Sequence, residues 1–170
     1  MKNNFLLISL LMLFQFFVLN NVIFFDFIML FPIIMIFILF WMKKDSKTNL
    51  LFAFMIGVAF DLFNNSLGIF SLALILIVFF RNLWASKIVG EEKLDEINVI
   101  SLNEIGSLQF FYYSFPLLIF FFCFLSLFES GSFFSLKNFS FIFYSTISNY
   151  VFMIIFQLLF LKSNNTNEWR

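Results

Sequence analysis

The sequence predicts an all-α, polytopic membrane protein with six transmembrane helices in one integral domain spanning residues 1–170. Three observations predict it. Hydrophobic residues make up 62% of the chain and charged residues 12%, against about 25% charged in a soluble domain; the surface cannot be dressed for water, so lipid must be the solvent. Apolar runs recur at the length that crosses the hydrocarbon, on the order of 20 residues. Lys and Arg gather on alternate connections, as the positive-inside rule requires.

The first span, "FLLISLLMLFQFFVL" (residues 5–19), comes after Lys2. A basic residue before an apolar run also describes a signal peptide, but "VLNNVIFF" offers no small-residue cleavage site and leads into more membrane, so an uncleaved helix is expected. The second, residues 22–42, carries Asp26 near its start and Pro32 inside it, which predicts a kinked or broken entry. A polar loop, "KKDSKTN", ends it. The third, residues 50–63, is short and contains Asp61. After "NNSLG" the fourth runs over residues 69–83, with Arg81 near its end and Trp84 at the expected interface.

A polar stretch, residues 85–107, separates this hairpin from the rest. Its acidic cluster Glu91, Glu92, Asp95 and Glu96 surrounds Lys93, with spacing that fits a short surface helix; a solvated helix and a docking site both fit. The fifth span, residues 108–128, contains Pro116, and the sixth covers residues 139–161. The tail "KSNNTNEWR" is polar. No internal repeat is visible.

With the N-terminus inside and six spans, Lys2, Lys43, Lys44, Lys47, Arg81, Lys87, Lys93, Lys162 and Arg170 all fall on the cytoplasmic side. Only Lys137 falls outside. Both termini are therefore expected in the cytoplasm.

Composition removes several function classes. Net charge is zero and histidine is absent, so there is no basic field for nucleic acid and no imidazole for metal or general-base work. The single cysteine, Cys123, lies in "LIFFFCFLSLF" and reads as small apolar packing. The 33 phenylalanines read as lipid-facing and core bulk. Asp26 and Asp61 could meet near the outer face as a carboxylate pair, but neither sits in a motif that specifies chemistry. The sequence points away from an enzyme and implies no cofactor.

Asp61 is the informative residue. A charge at the centre of a membrane helix costs on the order of 2.5–3.5 kcal/mol on insertion scales. With Asn64, Asn65 and Ser66 just after it, the carboxylate fits an interfacial group that caps or ends a helical hairpin. It also fits a buried polar face: Gly57 lies one turn earlier on the same side and admits a close backbone neighbour. Gly68 suits a turn needing positive φ.

The stretch "FMIGVAFDLFNNSLGIFSLALILIVFFRNLW", preceded by the pair Asn20–Asn21, a span with an early Pro32 and a basic loop, resembles the MreD family of rod shape-determining membrane proteins, especially its Bacteroidetes forms. Gly57, Asp61, Gly68 and Arg81 match the family's Gly-x-x-x-Asp, its glycine and the arginine closing the helix. The histidines and small residues that often come after the glycine are missing; "GIFSLAL" keeps Ser71 and Ala73. The resemblance implies a bacterial inner-membrane scaffold of the rod complex. Its implied partners are MreC, the actin-like MreB, the glycosyltransferase RodA and its penicillin-binding transpeptidase. It also implies a fold like the substrate-binding subunits of energy-coupling-factor vitamin transporters, with no bound cofactor.

Two functions from different classes fit these residues. One is a scaffold in which Gly57, Asp61, Asn64, Asn65 and Gly68 form the partner-binding face, with Pro32 and Arg81 structural. The other is a small-solute, vitamin-type binding subunit, for which Asp26, Asp61, Asn64 and Asn65 are the available polar groups.

Overall fold

The computed structural model describes residues 15, 23–24, 28–40, 46–97, 99–130 and 135–160. Apart from Gln15, the first expected span (residues 5–19) lies outside them, as do Asn20, Asn21, Asp26, Lys2, Lys43, Lys44, Lys162 and Arg170.

The described chain is mostly helical. Two short strands, β1 (Ile23–Phe24) and β2 (Ile28–Met29), pair antiparallel with Ile23 opposite Met29. The helices are α1 (Ile33–Leu39), α2 (Ser46–Asn64), α3 (Ile69–Ile88), α4 (Glu91–Glu96), α5 (Leu102–Ile105), α6 (Ser107–Ser130) and α7 (Leu136–Phe160). Of these, α3, α6 and α7 are long and apolar enough to cross a membrane.

Residues 22–42, expected as one span, are not a continuous helix. Pro32 has no N–H to give an earlier turn, and it constrains the residue before it. It is tolerated at a helix start, and here it stands as the N-cap of α1. The helix it opens has 7 residues and is about 10 Å long, far short of the hydrocarbon thickness.

This short piece occupies the centre of the bundle. Every residue from Phe31 to Phe40 is buried, and Phe31, Ile33, Ile34, Ile36, Ile38 and Leu39 are at 0% exposure. Helix α3 packs against α1, α2, α4 and α6, while α6 packs on α7, and β2 lies on α7. The Phe31 ring stacks on Phe70 and Phe121 and tilts against Phe60, with centroids 5.0–5.6 Å apart. One aromatic side chain therefore ties the broken segment to α2, α3 and α6 at once. Outward positions such as Leu62, Leu83, Leu108 and Leu158 are large, apolar and exposed, the pattern of helices whose surroundings are lipid.

The connection from α3 to α6 closes one end of the bundle. Leu94, Ile97, Ile100 and Ile105 are buried in the common core, whereas the acidic residues Glu91, Glu92, Asp95 and Glu96 are exposed. The expected surface helix is present as α4. Its polar face meets solvent and its apolar residue Leu94 anchors it.

Candidate functional site

Helices α2 and α3 form a hairpin whose polar residues act on one another. Helix α2 ends in a Schellman arrangement: Asn65 adopts φ 51°, and the N–H of Ser66 bonds to the carbonyl of Asp61 at 3.0 Å. Asn64 donates its side-chain amide to the Phe60 carbonyl at 3.0 Å. Gly68, at φ 86°, is the N-cap of α3 and has no side chain with which to cap it.

Asp61 supplies the missing cap from the preceding helix. One carboxylate oxygen accepts from the Ser66 hydroxyl at 2.6 Å and from the Phe70 N–H at 3.0 Å, and the other accepts from the Ser71 N–H at 3.0 Å. Phe70 and Ser71 are the second and third residues of α3, where N–H groups have no partner within the helix. A negative charge at this end also complements the helix dipole. The carboxylate is 8% exposed, and its hydrogen bonds lie within its own hairpin.

Gly57 is required one turn earlier. A Cβ built there would lie 2.3 Å from Ser71 Cα and 2.8 Å from Ser71 N, so the two helix backbones are in contact. That approach brings the N-terminus of α3 within reach of Asp61. Gly57, Asp61, Asn64, Asn65 and Gly68 all lie at this end of the hairpin, and the Asp61 carboxylate is engaged in holding it closed. The outward surface of the tip consists of Leu62, Phe63, Asn65 and Leu67, the last 99% exposed.

A second polar set surrounds α1 and its entry strand, and sequence reasoning missed most of it. At the C-terminal end, Arg81 donates to the carbonyls of Phe37 and Phe40. The Tyr113 hydroxyl donates to Ile38 O at 2.8 Å, and the Ile100 N–H to Leu39 O at 2.7 Å. The last carbonyls of α1 therefore each have a donor, and a guanidinium sits at the negative end of the helix. At the other end, Asn149 receives the Phe31 N–H at 2.8 Å and donates to Met29 O at 2.7 Å, while Ser145 Oγ accepts from Met29 N at 3.0 Å. Gln15 donates to Leu30 O at 3.4 Å. Ser145 and Asn149, four residues apart in an apolar run, were the available sequence signal for one polar helix face.

Pro116 shows the same principle inside α6. Lacking an N–H, it leaves the carbonyl of Tyr112, four residues earlier, without its helical donor. The indole N–H of Trp84 on α3 donates to that carbonyl at 3.0 Å. Trp84, expected at the interface, thus also bridges α3 to α6.

Among the described residues, no group of three or more His, Cys, Asp or Glu side chains is placed to hold a metal ion. The chain matches no protein-family model, no curated protein and no solved structure.

Proposed function

We propose that this chain is a non-catalytic, multi-pass scaffold of the bacterial inner membrane that serves the rod complex by docking MreC and linking MreB to peptidoglycan synthesis. The observation that carries the scaffold part is where the intramembrane polar side chains go. Asp61, Arg81, Trp84, Tyr113, Ser145 and Asn149 all bond to backbone groups of the same chain. Such a molecule meets partners through outward apolar helix faces and the hairpin tip, with packing rather than reaction chemistry as its output. The rod-complex part rests on the resemblance of Gly57, Asp61, Gly68 and Arg81 to the MreD pattern. The solute-binding alternative fits less well, because the bundle centre is filled by Phe31 and the side chains of α1.

The proposal includes six crossings with both termini cytoplasmic, which puts the Asn65–Gly68 turn outside and α4 inside. In this arrangement the tip residues Asn65 and Leu67, not the Asp61 carboxylate, face MreC. Co-purification of MreC with the tagged chain from solubilised membranes tests it, comparing wild type with Asn65→Lys and Leu67→Lys at equal membrane levels. Recovery should fall at least ten-fold in the variants. Failure of the wild-type chain to recover MreC would sink the rod-complex reading, and undiminished recovery by both variants would remove the tip from the interface.

A further inference from the structure

Two glycines bracket the connection between α3 and α6, and they share an uncommon backbone. Gly90 has φ 89° and ψ 144°, and Gly106 has φ 85° and ψ 156°. That region is essentially restricted to glycine. Yet a Cβ at either position would meet nothing within 4 Å. Packing does not call for glycine here, unlike at Gly57. The path of the backbone does, and the open space around both residues leaves room for that path to change.

The piece between them is two-faced. Leu94, Ile97, Ile100 and Ile105 point into the core, and Glu91, Glu92, Asp95, Glu96 and Glu104 are exposed. Its helices, α4 and α5, have 6 and 4 residues, too short to be stable by themselves. Among the described residues, its backbone ties to the rest of the bundle are the bridge between Phe40 and Val99, made by the bond from Ile100 N to Leu39 O, and the bond from Leu102 N to Gln157 Oε1 at 2.9 Å. These ties reach α7 and the C-terminal end of α1, the end that Arg81 and Tyr113 also hold.

We propose that the described residues between Gly90 and Gly106 form a lid, closed in this structure, that swings on those two glycines and is latched by Leu39, Phe40 and Gln157. Opening frees the Leu39 carbonyl, whose donor is the Ile100 N–H. This inference does not depend on the rod-complex reading.

Amide hydrogen exchange of the full chain in lipid nanodiscs, read by mass spectrometry, tests the lid. A Phe40→Cys, Val99→Cys pair in a Cys123→Ser background provides a lock across the bridge, compared oxidised and reduced. In the reduced protein, amides of Glu91–Glu96 should exchange at least ten-fold faster than those in the middle of α3. Oxidation should slow them about ten-fold, although the lock lies outside that helix, and should leave α3 and α6 unchanged. In a separate arm, Gln157→Leu, which removes one latch and leaves the glycines intact, should speed exchange across the whole stretch several-fold and leave exchange in the middle of α3 unchanged. The lid is overturned if the reduced protein protects Glu91–Glu96 as strongly as α3. It is equally overturned if oxidation slows only the amides next to Val99, because the stretch then frays locally and does not swing.

Discussion

The carboxylate of Asp61 accepts a hydrogen bond from the backbone N–H of Ser71 at 3.0 Å, ten positions along the chain, so a residue in one helix caps the start of the next. Replacing Asp61 by leucine removes the acceptor for two backbone donors and a hydroxyl. The fold should lose about 2–3 kcal/mol, measured by reversible unfolding in mixed detergent–SDS micelles. Asp61→Asn keeps one oxygen acceptor and should cost about 1 kcal/mol. Equal losses for the two would show that the cap is not what the carboxylate contributes.

Gly57→Ala addresses the contact that makes the cap possible. The new methyl would overlap Ser71 Cα and N, so α2 and α3 must part. Overpacking of this kind costs about 1–3 kcal/mol. Because two of the three nearest atoms are backbone, Ser71→Gly should recover little of the loss. Full rescue in the double variant would place the clash on the Ser71 side chain instead.

Trp84 and Pro116 should be coupled. Trp84→Phe leaves Tyr112 O without the indole donor and should cost about 0.6–2 kcal/mol. With Pro116→Ala, residue 116 regains an N–H for the same carbonyl, and the cost of Trp84→Phe should shrink to near zero. A double-mutant cycle in the same unfolding assay reads the difference; strict additivity would refute the link.

Thr146 lies on α7, buried, with no hydrogen-bond partner for its hydroxyl among the described residues. Thr146→Val keeps the shape and deletes the unpaired polar atom, so the bundle should gain about 0.5–1 kcal/mol. A loss of stability would mean that the hydroxyl is satisfied in the folded membrane protein.

The long apolar helices were legible because hydropathy and length are set by residues close together in sequence: α3, α6 and α7 fall on the spans expected at 69–83, 108–128 and 139–161. The hairpin cap was partly legible as well, since Asp61, the asparagines and Gly68 are neighbours and their turn chemistry is local. The broken segment was harder. Pro32 signalled an interruption, but a proline does not say which side chains will satisfy the backbone it frees. Those are Arg81, Tyr113, Ser145 and Asn149, between 41 and 120 positions away from the groups they hold. Arg81 read from sequence as the basic end of a helix under the positive-inside rule, and only the fold directs its guanidinium onto the end of α1.

The donors and acceptors that settle Met29 and Phe31 come from α7, more than a hundred residues downstream. During synthesis, this greasy early stretch therefore leaves the ribosome well before the residues that complete its hydrogen bonding exist. It cannot assume its final shape as an independent hairpin. Until the last helix arrives these backbone groups must find other partners, and a chain ending before Ser145 would lack the side chains that settle Met29 and Phe31.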